Sequence, residues 1–399
     1  MKRLITSLSL LLVAVVAMAQ QEAKVAELSM KSQFYDFERD ILVYTPIGFD
    51  KYTATDYDVF YVFDAQERGK FDLVHCLMEL GDTYLTNDRG KEFIIVGVIS
   101  PFMPEIPFGR NTDFLPMPIH EIGKGHFAHE GAYGRSGDLK KFLKQELMPY
   151  IEKTFNATGR KIGVGHSLGA SFVLDCMITD DLFDDYIALS PNCSYDEFRV
   201  ASDLEQYPFK SHNEPRFIFA AMGSERARFG EKWHQGWVRA SAFLSNKSNF
   251  PQNTIVSVKN YPEYDHQAVY LPSLQDALNQ YLEYSVSFLP QFVSKETYPI
   301  HIELRGEALK GDVYITGNQA ELGNWDAKGI KMKHVNDSTC AVDLQLHLPA
   351  YFKFTRGDWD HEAFLSNSWP GRNIIIQKPE PKSRIYRLEP EEPWSGENK

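Results

Sequence analysis

Cysteine is scarce in this chain: Cys76, Cys176, Cys193 and Cys340 are the only four in 399 residues. Thiols this few and this scattered cannot build a disulfide framework, although one bridge among them stays open, and no C-x-x-C spacing points to zinc. Cys76 and Cys176 fall in predicted helices and read as small buried apolar residues. Low-complexity runs and long blocks of like charge are also absent, which excludes a basic nucleic-acid-binding arm. The formal net charge is −12. Such a chain is a poor partner for nucleic acid or an anionic membrane surface. Beyond the first 19 residues no apolar run is long enough to span a bilayer.

What the N-terminus does carry is a processing signal. Lys2-Arg3 is a positive start, Leu4 to Val16 is apolar, and Ala17-Met18-Ala19 is a small-x-small cleavage site. The expectation is removal of residues 1–19 and a mature chain that starts at Gln20 in a secreted or periplasmic compartment. No cysteine near the cleavage point offers a lipid anchor.

Residues 20–290 read as alternating strands and helices. Strands are predicted at 39–46, 57–63, 93–99, 160–164, 186–189, 216–221 and 254–261. Helices are predicted at 73–84, 138–155, 168–178 and 271–288. This alternation implies an α/β fold with a mostly parallel, doubly wound sheet. From 298 to 390 only short alternating runs appear, near 300–304, 312–316, 339–346, 351–355, 373–377 and 384–388. They read as a small all-β sandwich. Residues 391–399 are acidic and read as a loose tail.

Gly165-His-Ser-Leu-Gly169 carries the chemistry. Chance alone gives roughly 0.1 matches to G-x-S-x-G in a chain this long. Its setting between a short apolar strand and an apolar helix is that of an exposed nucleophilic serine on a sharp turn. The glycines keep that turn free of clashes. A serine hydroxyl needs a histidine to take its proton and a carboxylate to orient that histidine. In the α/β-hydrolase order the acid follows the serine and the histidine comes last. His266 lies in the loop after the last strand and Glu225 in the loop after the strand before it. Asp196 and Asp265 are the rival acids. Two backbone N–H groups should stabilise the oxyanion. Leu168 supplies one, and the loop after Tyr61-Val-Phe-Asp-Ala-Gln66 supplies the other, at Ala65 or Gln66.

These segments, with Val96-Gly-Val98, Arg110-Asn-Thr-Asp-Phe-Leu-Pro116, Gly134-Arg-Ser-Gly-Asp138 and Asp265-His266, resemble the putative esterase family. That family contains the relatives of esterase D, enterobactin-type siderophore esterases, and the feruloyl and acetyl esterases of carbohydrate esterase family 1. The resemblance covers about residues 30–290 and implies an α/β-hydrolase needing no metal or organic cofactor. Asp64-Ala65 stands where the family often has Asp-Gly. Arg110 and Asp113 read as a structural pair within their loop. His120, His126 and His129 sit in the 101–135 insertion and read as polar residues lining a substrate cleft rather than as a metal site.

Val313-Tyr-Ile-Thr-Gly-Asn-Gln-Ala-Glu-Leu-Gly-Asn-Trp-Asp326 and Ala350-Tyr-Phe-Lys-Phe354 resemble the starch-binding modules, family 20 of the carbohydrate-binding modules. The resemblance implies sugar contacts by Trp325 and Lys353 and a polysaccharide partner of the α-glucan kind. His361 stands where the family has a second tryptophan before a glutamate, with Trp359 two residues earlier. The resulting expectation is an exported serine esterase acting on acyl groups of carbohydrate. A siderophore esterase and a catalytically silent carbohydrate-binding protein are the alternatives.

Overall fold

The computed structural model describes residues 23–396 apart from 47–48, 50–56, 85–92, 102–107, 121–133, 156, 158, 213, 308, 367–372 and 391–392. The expected signal segment lies outside the described residues. So do His126 and His129.

The larger unit holds β1 (Lys24–Met30), β2 (Arg39–Thr45), β3 (Asp58–Phe63), α1 (Arg68–Tyr84), β4 (Phe93–Val98) and α2 (Gly109–Phe114). It continues with α3 (Ser136–Phe142), which runs through a π turn into α4 (Met148–Phe155), then β5 (Lys161–His166), α5 (Leu168–Thr179) and β6 (Asp185–Leu189). The last elements are α6 (Tyr195–Gln206), β7 (Arg216–Gly223), α7 (Arg226–Ser245), β8 (Thr254–Tyr261) and α8 (Tyr270–Glu283). The eight strands form one sheet in the order β1-β2-β4-β3-β5-β6-β7-β8. The pairs from β4 through β8 are parallel, while β2 pairs antiparallel with both β1 and β4.

The strands alternate between two cores. Val59, Tyr61 and Phe63 pack on one face with Phe172 and Phe114. Phe60 and Val62 pack on the other with Phe71, Leu274 and Tyr281. Both faces are therefore covered, as a parallel sheet requires. Helix α5 is buried continuously from Leu168 to Met177, so the turn that carries Ser167 rests on a helix packed into the core.

Periodicity does not predict β1, α6 or α7. Helix α7 is amphipathic only after a break at Gly230 (φ 84°, ψ −178°). Its Gly236 lies where a Cβ would come within 2.7 Å of the Cys193 backbone. Cys76 is exposed, not buried, and all four cysteines are free. No helix among the described residues is long and apolar enough to cross a membrane.

The smaller unit holds β9 (Tyr298–Arg305), β10 (Tyr314–Gly317), β11 (Ile330–Lys331), β12 (Lys333–Asn336), β13 (Thr339–Leu346), β14 (Ala350–Thr355), β15 (Ile374–Ile376) and β16 (Ser383–Arg387). They form two four-stranded sheets, β11-β10-β14-β15 and β12-β13-β9-β16. Between the sheets lie Ile302, Leu304, Ile315, Phe352 and Phe354.

The described residues 393–396 correct the expectation of a loose tail over 391–399. Trp394 is fully buried in the sandwich core, Arg356 lies 4.7 Å over its ring, and its backbone bridges to Ala363. One large aromatic outweighs the acidic composition around it, because burying it removes about 150–250 Å² of surface from water.

The two units meet at the amino ends of the hydrolase strands. Gln377 Nε2 donates to Asp58 Oδ1 at 2.8 Å, and Lys378 Nζ lies 3.7 Å from Asp184 Oδ2. The turn that carries Ser167 lies at the carboxyl ends, about 20 Å away along strands of six residues.

Candidate active site

Strand β5 ends at His166 and α5 begins at Leu168, leaving Ser167 alone on the turn with φ 60° and ψ −121°. A non-glycine residue held there stores about 1–3 kcal/mol of strain, tolerated only because its surroundings fix it. A Cβ on Gly165 would lie 2.2 Å from the Gly169 carbonyl oxygen, and one on Gly169 would lie 3.3 Å from Asp64 Oδ2. The two glycines let the strand, the helix and the loop after β3 close around the serine.

His266 and Glu225 come from the loops after β8 and β7, and both are almost completely buried. Glu225 Oε2 lies 2.9 Å from His266 Nδ1, to the side of the ring N–H rather than along it. The same oxygen accepts from Trp233 Nε1 at 2.8 Å. Glu225 Oε1 accepts from Ser190 Oγ at 2.5 Å and from the Gly223 N–H at 3.3 Å. The Ser167 hydroxyl makes no hydrogen bond to the His266 ring. Such bonds tighten when substrate binds.

The rival acids are committed elsewhere. Asp196 is buried in a left-handed turn, where it accepts from the Ile119 and His120 N–H groups at 2.8 and 2.9 Å. Its Oδ1 also lies 3.1 Å from His120 Nδ1. It anchors a loop, and His120 with it. Asp265 accepts from the Gln267 and Ala268 N–H groups, both at 2.9 Å, and these bonds hold its carboxyl below the usual value. Among the described residues no cluster of histidine, cysteine, aspartate or glutamate side chains could hold a metal ion.

The two candidates for the second oxyanion donor separate. The Ala65 N–H is used, donating to the Val98 carbonyl at 3.2 Å. This corrects Ala65 as a donor: the sheet's hydrogen bonding runs two residues past the end of β3. The N–H groups of Gln66 and Leu168 have no protein acceptor among the described residues.

Arg110 also departs from expectation. Its partner is Asp64, with Nε to Oδ1 at 2.5 Å and Nη2 to Oδ2 at 2.7 Å. Asp113 is held instead by buried Arg39, at 3.1 and 2.6 Å. Burial works against charge on Asp64, yet Arg110, Lys70 and Gln66 overcome it and its pKa is lowered. Gln66 bridges Asp64 Oδ1 at 2.9 Å and the Ser100 N–H at 3.0 Å, which fixes the loop carrying its own free N–H.

His166 is a residue the sequence reading passes over as the variable position of the motif. Its ring lies 4.8 Å from that of His266, and its Nε2 donates to the His266 carbonyl at 2.8 Å. A carbonyl can only accept, so the proton sits on Nε2. Burial, with Lys70 and His266 nearby, lowers its pKa to about 3. It is a neutral prop that ties β5 to the His266 loop. A histidine closing a strand buried from Ile162 onward was the available signal.

In the sandwich, Trp325 is half-buried with a left-handed backbone (φ 62°), and its N–H donates to the Gly317 carbonyl at 2.8 Å. Lys353, opposite Thr316 in the β10/β14 pair, places Nζ 2.7 Å from Glu362 Oε1. Trp359 stands 47% exposed on the turn before Glu362.

A serine lifted on a strained strand–helix turn, at the carboxyl ends of a mostly parallel sheet with a histidine–carboxylate pair beside it, defines an α/β-hydrolase. The chain belongs to the putative esterase family, whose match runs over residues 32–319. Residues 297–381 match the starch binding domain. Where the two matches overlap, strand pairing places residues from Tyr298 onward in the sandwich.

The apo-salmochelin esterase of Escherichia coli O6:H1 (strain CFT073) is 24% identical over 164 residues, 39% of this chain and 48% of that protein. The chain thus spans about half the length of this curated relative. An IroE-like serine hydrolase from Shewanella oneidensis shares the fold at TM-score 0.56 and 23% identity, covering 66% of this chain and 80% of that one. The siderophore hydrolase EstA of Aspergillus nidulans does so at TM-score 0.54 and 17% identity, covering 66% and 95%.

Proposed function

We propose that the protein is an exported serine esterase whose nucleophile is Ser167, whose base is His266 and whose orienting carboxylate is Glu225. The observation that carries this reading is the 2.9 Å approach of Glu225 to His266 Nδ1. It leaves Nε2 of the same ring to serve the hydroxyl on the neighbouring elbow. Ser167 Oγ attacks the ester carbonyl carbon while His266 Nε2 takes its proton. The carbonyl oxygen becomes an anion held by the Leu168 and Gln66 N–H groups. The intermediate collapses, His266 returns the proton to the departing alkoxide, and an acyl-serine is left. Water then repeats the sequence and releases the acid.

The substrate is an acyl ester on carbohydrate, of acetyl or feruloyl type. The starch-binding match in the same chain supports this reading. The salmochelin esterase relative favours a second reading, a siderophore trilactone. The test is a screen of purified protein on acetylated polysaccharide, feruloyl oligosaccharide and a catecholate trilactone at matched concentration. The first reading expects the highest kcat/KM on one of the two carbohydrate esters. A preference for the trilactone replaces it with the second.

A further inference from the structure

Glu225 is gripped on both oxygens. Oε1 takes Ser190 and the Gly223 N–H, so one half of the carboxylate is pinned to the carboxyl ends of β6 and β7. Oε2, the oxygen that faces His266, is shared with the indole N–H of Trp233 at 2.8 Å. That shared oxygen lies off the ring N–H axis of His266, so the imidazole alone does not set where it points. Trp233 sits in α7 after the break at Gly230, where a Cβ would meet nothing within 4 Å. The break is thus a matter of backbone conformation and not of crowding. Phe229, just before it, stacks on Trp233 at 4.4 Å and meets the His266 ring edge-on at 4.8 Å. Trp233 itself meets that ring edge-on at 5.7 Å.

We propose that Trp233 is a positioning residue for ester hydrolysis, its indole N–H fixing the Glu225 oxygen that orients His266. The inference rests on the Ser167–His266–Glu225 reading above. An indole N–H is a donor only, and a carboxylate free of it could turn away from the histidine. Trp233 makes no bond to the nucleophile. Its effect must therefore pass through Glu225 and fall on turnover rather than on substrate binding.

The experiment is a double-mutant cycle in the full chain, read on p-nitrophenyl acetate and scaled to folded protein by circular dichroism. Trp233→Phe keeps an aromatic ring and loses the N–H. It should lower kcat about tenfold, the scale of a hydrogen bond to a charged group, with KM changed less than about twofold. In a Glu225→Ala background the same substitution should change kcat by less than about twofold. Trp233→His keeps a ring N–H and should retain more activity than Trp233→Phe. If Trp233→Phe does not fold, Trp233→His supplies the cycle: it too must lower kcat in the parent and leave the Glu225→Ala enzyme unchanged. Equal losses in both backgrounds, a change in KM alone, or an unchanged kcat overturns the inference and leaves the triad standing. A Glu225→Ala enzyme with full kcat overturns both.

Discussion

Arg110 and Asp64, 46 residues apart in sequence, meet in a two-point ion pair at 2.5 and 2.7 Å beside the turn that carries Ser167. The aspartate is fully buried and has a left-handed backbone (φ 65°). The pair joins the loop after β3 to helix α2, and the Arg110 guanidinium also approaches the His166 carbonyl at 3.5 Å.

Arg110→Met should therefore be costly. It leaves the Asp64 carboxylate buried beside only Lys70, which is 3.9 Å away, and the side-chain amide of Gln66. Breaking a buried pair from one side costs about 3–5 kcal/mol. Urea unfolding should show that loss, and kcat should fall as well because the Gln66 loop is released. A stability change under about 1 kcal/mol would mean that the pair is a surface contact in effect.

His166 gives a prediction with a definite sign. Its pKa is about 3 in the folded chain, against 6.5 for an unperturbed histidine. The unfolded chain therefore takes up a proton that the folded chain refuses. This contribution to stability is complete above pH 6.5 and is lost as pH falls towards 3, by at most about 1.4 kcal/mol per unit. His166→Gln should flatten that part of the stability–pH curve. Parallel curves for parent and variant would count against a buried neutral His166.

Trp394→Ala should destabilise the sandwich by about 3–5 kcal/mol, the usual cost of emptying a large buried aromatic site. The expected readout is an earlier melting transition. Unchanged melting would return the C-terminal segment to a loose tail.

Carbohydrate retention is tested with full-length Ser167→Ala in starch, xylan and pectin gels. Trp359→Ala and Trp325→Ala should each weaken retardation, with the larger loss from the exposed Trp359, since a stacked ring contributes on the order of 1 kcal/mol. Retardation that survives both changes places binding elsewhere on the chain.

The strand–helix alternation and the elbow were legible because each is a local pattern. The Glu225 and His266 loops were legible because chain order in this fold dictates which strand end carries which group. What sequence hid was partnership. Asp113, three residues from Arg110, was the natural local mate, yet it turns to Arg39, while the true partner arrives from a different strand end. Ala65 and Gln66 differ only in which N–H the sheet has already used, and side-chain identity says nothing about that. Helix α7 was hidden by its glycines and by the break at Gly230. Trp394 was hidden because composition averages over a segment, whereas burial depends on a single side chain.

Whether Ser167 is the nucleophile is decided by the turnover of p-nitrophenyl acetate by Ser167→Ala, with circular dichroism matched to the parent. A nucleophilic Ser167 requires a fall in kcat of about three orders of magnitude or more with an unchanged fold. Turnover within about twofold of the parent would contradict it, because nucleophilic attack by that hydroxyl could not then be the route of ester cleavage.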